Sequence, residues 1–505
     1  MATTSPKFLK TLMLMITIAF IVSRSAVMPT SDIAWLTLAA ERVLNGQQFG
    51  HDIYELNSPF ALLVYLPSVF LSKIFSFSPF TTTYALTTLL ILLCIGLAAS
   101  ILKNRDYPLF YHSEKLWIFR ISFLLAYLLI PGINGFAQRD HIIACLLLPY
   151  ALLKLAPSGY KEGIGETKHF VNILSSFLFS IALIIKPQYI IFSFLLNFYI
   201  LFREGRFKFY FPGAIISAFM LSMAGLIIVI FFTSWLSIAY TAYETYRGYQ
   251  HPIKMVANSL LQLLNVAISL IFLTHSSLPK ISIKLEYPQQ NPFFTLGIIG
   301  ALNIPLYLIS KNGWYYHALP TLLPLYGIIV YAIYYYCLRF KKIIFFGLTI
   351  FLLSISHFLL LYNAKKYYEV PLPEIMHSQI KKGDAFLCIS PDIQCGFPRA
   401  VTHGYRYVSR YPSLWPSGGA LLLFELGKMD EVTLHKYLHF DIKNTTEDIL
   451  KYQPQLIAIQ WHQEKNGSIR FFEKDANFNQ ALSHYKLFNK TDITDRFATW
   501  IYVKK

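Results

Sequence analysis

Long apolar stretches separated by short polar segments dominate the first 362 residues of the chain. A stretch needs about 20 apolar residues to cross the hydrocarbon core of a bilayer, and eleven stretches approach this length. They cover residues 8–27, 81–102, 116–133, 141–156, 169–185, 187–203, 210–232, 255–275, 292–310, 318–338 and 341–362. The pattern predicts an α-helical polytopic membrane domain over residues 1–362, with about eleven transmembrane helices. From residue 363 to residue 505 the chain is charged and has no long apolar run, which predicts a soluble α/β or α+β domain of ordinary size.

The apolar run 60–76 has two readings, because Pro67 and Lys73 interrupt it. It either crosses the membrane or lies flat on the surface as an amphipathic helix. The flat reading, with the N-terminus inside, gives inner segments sixteen Lys and Arg residues against seven in the outer loops. The outer seven are Arg42, Lys73, Arg139, Lys186, Arg247, Lys254 and Lys311. Cytoplasmic loops of membrane proteins carry this excess of basic residues, so we adopt the flat reading.

This topology predicts that the long first loop, 28–80, and the domain 363–505 lie outside the cytoplasm. The first apolar stretch follows Lys7 and Lys10 like a signal peptide. It lacks a clear small-x-small cleavage site, so we read it as an uncleaved first span. The short inner loops indicate a bacterial protein, and hence the inner membrane.

Composition agrees with a membrane protein, and it limits which molecules the chain is expected to bind. Charged residues make up 14% of the chain and hydrophobic residues 55%, whereas soluble domains carry about 25% charge. The formal net charge of +17 would fit a nucleic-acid binder. Because the basic residues follow the predicted topology, we expect membrane lipid and no nucleic acid as partner.

Acidic residues in the first outer loop are the first candidates for chemistry. Asp32 comes a few residues after the first span and precedes an amphipathic helical pattern. We expect surface helices over 33–45 and 60–76, with Asp32 at the N-cap of the first, since Asp is a preferred cap. Asp52 and Glu55 are secondary candidates in the same loop.

A second polar group lies between two predicted spans. Residues 138–141 read Gln-Arg-Asp-His, and ionisable residues at such a depth are costly and usually paired or functional. Arg139, Asp140 and His141 are therefore candidates, and the alternative is that they only anchor helix ends.

Single basic residues complete the predicted outer face: Lys186, Arg247, Lys311 and His317. Lys and Arg near the headgroups can bind a lipid phosphate, which we expect for Lys186 and Lys311. The tyrosines of 240–254 favour an aromatic belt at the membrane surface.

Two cysteines fall in the predicted exported domain. Cys388 and Cys395 are seven residues apart, and an oxidising compartment permits a disulfide between them. We expect the pair to be close, with two reduced buried thiols as the alternative.

Three short segments, 31–35, 136–141 and 313–317, resemble bacterial members of the GT-C glycosyltransferases. These polytopic enzymes use polyprenyl-phosphate sugars, and they include the protein mannosyltransferases and the aminoarabinose transferases. The resemblance covers residues 8–362 by architecture. Asp32 matches the acidic residue that the family carries after its first span, and Asp140 matches the second acidic motif.

The resemblance implies inverting transfer of a sugar from a polyprenyl-phosphate donor to a glycan, lipid or protein acceptor. Asp32 would act as general base and Asp140 would assist. Arg139, His141, Lys186, Lys311 and His317 would contact the leaving phosphate. The family's acidic doublet is absent because Ile33 follows Asp32, so a divalent cation such as Mg or Mn, held by Asp32 and Asp140, stays open. A polysaccharide polymerase or ligase and a lipid transporter or flippase are the alternative functions.

Overall fold

The computed structural model of the chain describes residues 6–104, 110, 112–155, 166–205, 211–250, 253, 255–264, 292–340, 378–462, 469–494 and 497–505. The chain is mostly helical and its residues fall into two compact units. The first unit comprises Met1–Val27, Leu71–Ile227 and His251–Tyr362, and the second comprises Met28–Phe70, Ile228–Gln250 and Asn363–Lys505. The predicted domain boundary at residue 362 lies outside the described residues.

In chain order, the helices are α1 (Pro6–Ser25), α2 (Ser31–Leu44), α3 (Pro59–Leu63), α4 (Leu66–Phe75), α5 (Pro79–Asn104), α6 (Ser113–Leu129), α7 (Gly132–Gly135), α8 (Arg139–Leu155), α9 (Glu166–Ile185), α10 (Ile190–Glu204), α11 (Phe211–Phe231), α12 (Ser234–Thr245), α13 (Met255–Leu264), α14 (Pro292–Leu302), α15 (Ile304–Ser310), α16 (Leu319–Phe340), α17 (Arg399–Thr402), α18 (Trp415–Glu425), α19 (Glu431–Tyr452), α20 (Ile469–Lys474) and α21 (Ala476–Leu482).

Within the described residues, five helical segments are long and apolar enough to cross a membrane. They are Pro6–Ser25, Pro79–Lys103, Gly213–Phe231, Pro292–Ser310 and Tyr315–Tyr334. The predicted number of eleven is not confirmed. Helices α6 and α8 have 17 residues each, or about 25 Å at 1.5 Å per residue, which is less than the hydrocarbon thickness of about 30 Å. The predicted span 341–362 and the end of the span 255–275 lie outside the described residues.

Glycines set close helix contacts in the first unit. A Cβ added at Gly327 of α16 would lie 2.7 Å from the ring of Phe123 in α6. One added at Gly300 of α14 would lie 2.9 Å from the carbonyl oxygen of Thr321 in α16. Small residues at such positions let helix backbones approach closely, as is common between membrane helices. These contacts pack α16 between α6 and α14.

A five-stranded mixed sheet is the centre of the second unit. Its strands are β1 (Ala385–Ile389), β2 (Arg406–Tyr407), β3 (Leu456–His462), β4 (Tyr485–Thr494) and β5 (Phe497–Lys504), and their order is β2-β1-β3-β5-β4. Strand β1 pairs in parallel with β2 and β3, whereas β5 pairs antiparallel with β3 and β4. All five residues of β1 are buried, as expected for a parallel strand covered on both faces.

The first loop folds against this sheet. The guanidinium of Arg42 in α2 donates to the carbonyl oxygen of Ser409 at 2.8 Å and to that of Tyr407. The backbone N–H of Tyr54 donates to the carbonyl oxygen of Arg410 at 2.8 Å. The predicted surface helix 33–45 is confirmed as a helix, α2, and the apolar run 60–76 forms two short helices, α3 and α4.

Cys388 and Cys395 form a disulfide with their Cα atoms 6.2 Å apart. The predicted proximity of the two cysteines is confirmed. The bond joins the end of β1 to the helical turn Ile393–Cys395.

Candidate functional site

The helix ends of the first unit bring three of the predicted residues together. Asp140 is in the first turn of α8. Lys186 follows α9 directly in an extended conformation, because Pro187 cannot continue the helix. His317 is in the single helical turn that precedes α16. We call Asp140, Lys186 and His317 the carboxylate–cation cluster.

Short polar contacts hold this cluster. The Nζ atom of Lys186 lies 2.8 Å from Oδ1 and 2.7 Å from Oδ2 of Asp140. Nδ1 of His317 lies 3.0 Å from Oδ2 of the same carboxylate, and the hydroxyl of Tyr189 donates to Oδ1 at 3.3 Å. The side chains of Lys186, Asp140 and His317 are only 11%, 3% and 10% exposed. The cluster is therefore a buried, hydrogen-bonded ion pair with a histidine attached.

The contacts assign different chemical roles to the three side chains. Both oxygens of Asp140 accept from the ammonium of Lys186, so the carboxylate is engaged on every side that the structure describes. An ionised carboxylate only accepts hydrogen bonds. Nδ1 of His317 donates to Oδ2 of Asp140 when it carries the ring proton, and without that proton it accepts from the Lys186 ammonium, which lies 3.3 Å away. Asp140 is suited to orienting two cationic or donor groups rather than to taking a proton from a substrate.

Arg139 adds a second cation next to the cluster. Its side chain is 6% exposed and it acts electrostatically on His317. Arg139 and Lys186 are thus two buried cations that both act on His317. Buried cations suit an anion, and a guanidinium together with an ammonium suits a phosphate in particular.

His141 is buried and makes a backbone contact instead. Its Nδ1 accepts a hydrogen bond from the backbone N–H of Ala137 at 3.1 Å. Ala137 has a φ of 63°, a left-handed conformation that is uncommon outside glycine. The imidazole therefore fixes the turn that leads into α8. Its predicted phosphate contact stays a prediction.

Sequence reasoning did not single out two further polar residues of the first unit, Tyr189 and Arg24. Tyr189, in the helical turn after Lys186, donates a hydrogen bond to Asp140. In the sequence, only its position close to Lys186 could have indicated this contact. Arg24 is fully buried at the end of α1, its guanidinium lies 4.2 Å from the ring centroid of Tyr84, and it donates to the carbonyl oxygen of Ile133 at 3.4 Å. A cation at the predicted outer end of the first span was the available signal, because the charge rule disfavours it there.

Asp32 lies in the second unit, in the first turn of α2. The predicted N-cap is wrong, because Thr30 caps the helix and its hydroxyl accepts from the N–H of Ile33 at 3.4 Å. The N-cap residue is the last one with non-helical torsions, and Thr30 has an extended conformation whereas Asp32 is helical. The half-buried carboxylate of Asp32 is thus not needed for capping.

The other acidic candidates of the first loop make structural contacts within the second unit. Glu55 is buried, and its carboxylate accepts from the indole N–H of Trp35 at 2.6 Å and from the N–H of Asn57 at 2.8 Å. Burial tends to raise the pKa of Asp52. Hydrogen bonds from the N–H of Gln48, from His51 and from Lys451 outweigh that effect and lower the pKa. Both carboxylates therefore stabilise the loop.

Two predicted phosphate ligands are exposed. Lys311 ends α15 with a φ of 56°, and its side chain points into solvent-accessible space. Arg247 is in the second unit, where its guanidinium lies 5.2 Å from the ring centroid of Tyr243. In the first unit, Lys311 is exposed whereas the members of the carboxylate–cation cluster are buried, and the predicted phosphate contact of Arg247 stays a prediction.

The donor set does not fit a divalent cation at Asp140. Magnesium and manganese need oxygen ligands, and both Asp140 oxygens carry the Lys186 ammonium. Within the described ranges no group of three or more His, Cys, Asp or Glu side chains could hold a metal ion. We therefore derive no step through a metal.

Comparison with known proteins adds no family to this geometry. No protein-family model matches the chain, and no curated protein matches it either.

Proposed function

We propose that the chain is a membrane glycosyltransferase of the GT-C type. It moves a sugar from a polyprenyl-phosphate donor to an envelope glycan, lipid or protein acceptor. The reaction takes place at the outer face of the bacterial inner membrane, the side on which the basic-residue distribution puts the first loop and the C-terminal domain.

The observation that supports the proposal is the buried carboxylate–cation cluster, in which Asp140 holds the Lys186 ammonium and the His317 ring, with the buried Arg139 as a second cation that acts on His317. A polyprenyl phosphate leaves with negative charge on its phosphate oxygens, and preorganised cations stabilise charge that develops in a transition state. Lys186 and Arg139 supply those cations, and Nε2 of His317 donates to the phosphate only when the ring is protonated on both nitrogens. Asp140 is the positioning residue, because it fixes the Lys186 ammonium and the His317 ring.

Asp32 is the proposed general base. In the transfer, the acceptor oxygen forms a bond to the anomeric carbon while the bond from that carbon to the phosphate oxygen breaks. The acceptor proton goes to the Asp32 carboxylate, the electron pair of the breaking bond stays on the phosphate, and the sugar inverts. Two features favour Asp32 over Asp140: it is partly accessible, and Thr30 relieves it of capping. Asp140 is held by Lys186.

Binding of polyprenyl phosphate to the purified full-length protein tests the phosphate contact directly. The melting temperature should rise when polyprenyl phosphate is added and should stay unchanged with the matching polyprenol, which lacks the phosphate. Lys186→Met should lose most of the rise, whereas Lys311→Met, a change at an exposed lysine of the same unit, should keep it. Equal stabilisation by the phosphate and the alcohol would overturn the assignment of the carboxylate–cation cluster.

A further inference from the structure

Helix α12 of the second unit has one exposed apolar face. Leu236, Tyr240 and Tyr243 are 54%, 59% and 69% exposed. Arg247, one turn further, is exposed as well. The spacings of four and three residues place Leu236, Tyr240 and Tyr243 on one side of α12, and the guanidinium of Arg247, in the next helical turn, lies 5.2 Å from the ring centroid of Tyr243. This surface, which we call the tyrosine face, combines aromatic rings with a guanidinium.

The opposite side of α12 is fixed to the rest of the second unit. Ile238 and Thr245 are fully buried, and α12 packs against α18. Glycines make the closest approach: a Cβ on Gly248 would collide with the carbonyl oxygen of Gly419, and a Cβ on Gly419 would collide with that of Thr245. The backbones touch directly, so the tyrosine face is a rigid part of this unit.

A hydroxyl–carboxylate bond adds to the attachment. The hydroxyl of Tyr437 in α19 donates to Glu244, and the ammonium of Lys436 lies 3.8 Å from the same carboxylate. These contacts hold the side of α12 that carries Glu244. The rings of Tyr240 and Tyr243 stay exposed.

The chain connection limits how far α12 can be from the membrane. The apolar segment Gly213–Phe231 is long enough to cross a bilayer, and its last residues, Val229, Ile230 and Phe231, are exposed. Helix α12 begins three Cα steps after Phe231, a reach of at most about 11 Å. Each headgroup layer is about 5–8 Å thick, so the start of α12 lies in or directly next to that layer.

We propose that the tyrosine face is a membrane-interface anchor that holds the second unit against the phospholipid headgroups. Tyr and Leu side chains suit the boundary between headgroups and acyl chains, and Arg247 suits a lipid phosphate. The close backbone contact between Gly248 and Gly419 connects α12 rigidly to α18, so the anchor holds the rest of the second unit as well. The proposal depends on the chain crossing the membrane and not on the transferase activity.

Depth-dependent quenching in vesicles tests the anchor with the full-length chain. A single cysteine at Tyr243→Cys, made in a variant whose unpaired native cysteines are Ser, carries an environment-sensitive fluorophore in vesicles of phosphatidylcholine and phosphatidylglycerol. Lipids with a nitroxide near the headgroup should quench it several-fold more than the same fluorophore at Phe488→Cys, an exposed site on β4 of the same unit. Gly419→Ala should reduce the quenching at position 243, whereas Gly225→Ala, at a glycine with no close neighbour, should not.

Two outcomes would overturn the anchor. Emission typical of water without lipid quenching at position 243 would show that the face stays in solvent. A blue-shifted emission that lipid nitroxides do not quench would show that protein covers it. If Gly419→Ala prevents folding, the comparison of Tyr243→Cys with Phe488→Cys still decides the question.

Discussion

Removal of Asp140 alone from the buried Asp140–Lys186 pair should destabilise the chain more than removal of both residues. Breaking a buried ion pair leaves an uncompensated charge and costs about 3–5 kcal/mol, whereas replacing the whole pair is often close to neutral. Both Nζ–oxygen distances are below 2.9 Å and neither side chain is more than 11% exposed, so the full penalty applies. Asp140→Asn removes the carboxylate that contacts both Lys186 and His317.

The two single changes should differ in size. Lys186→Met leaves Asp140 with the contacts to His317 and Tyr189, which compensate part of the lost charge. Asp140→Asn puts a neutral amide where the Lys186 ammonium met a carboxylate. We expect Asp140→Asn at the upper end of the 3–5 kcal/mol range, Lys186→Met at or below its lower end, and the double variant less destabilised than Asp140→Asn by about 1–3 kcal/mol.

Unfolding in mixed micelles with increasing SDS measures these differences. The fluorescence of Trp314, whose ring stacks on His317 at 5.6 Å between centroids, reports on the cluster itself. Lys311→Met is the matched control, because exposed substitutions usually stay within about 0.5 kcal/mol. A double variant whose loss equals the sum of the two single losses would refute the claim that Asp140 and Lys186 act as a pair.

Three further predictions concern single positions. Asp32→Asn should lower transfer about 10²–10⁴-fold and leave the helix cap in place, because Thr30 supplies it; near-normal activity would exclude Asp32 as the base. Arg139→Lys should weaken polyprenyl-phosphate binding in a titration, because it keeps the charge and loses the planar fork; unchanged affinity would leave Arg139 only a point charge. Burial raises the pKa of Asp441 from 3.8 to about 7. The folded second unit therefore holds a proton that the unfolded chain releases, and its stability should fall between about pH 4 and 7 by up to about 4 kcal/mol. Asp441→Asn should flatten this fall in melts followed by Trp415 fluorescence, and an unaltered pH profile would contradict the assignment to Asp441.

Local patterns in the sequence predicted secondary-structure elements better than they predicted the contacts of individual side chains. The apolar periodicity after residue 32 indicated α2 to within two residues, because helix formation follows from spacing on one face. The cap was missed by two positions, since Thr30 and Asp32 are both acceptable caps and only the backbone torsions decide between them. The spacing of Cys388 and Cys395 indicated that they are close, because a short loop keeps two cysteines close, whereas the bond itself was left open and is present in the structure.

The sequence identified most residues of the candidate site, but it did not predict which of them contact one another. Asp140, Lys186 and His317 were each identified by charge near a span end. Their mutual contact joins positions 46 and 131 residues apart, and helix packing alone determines it. The contact of Tyr189 with Asp140 was not predicted, because a tyrosine near the end of a span is typical of the aromatic belt. The predicted number of eleven spans is not confirmed within the described residues, because hydropathy counts apolar residues and not the length of the helix that they form.

The central claim is that the chain consumes a polyprenyl-phosphate sugar at the outer face of the membrane. Analysis of lipid-linked sugars in a strain that lacks the protein tests this claim most directly. We predict that one polyprenyl-phosphate sugar accumulates, that a membrane-impermeant oxidant destroys it in spheroplasts, and that the wild-type chain but not Asp32→Asn restores the normal level. An unchanged pool would contradict the claim, and a pool that accumulates only where the oxidant cannot reach it would indicate a flippase instead.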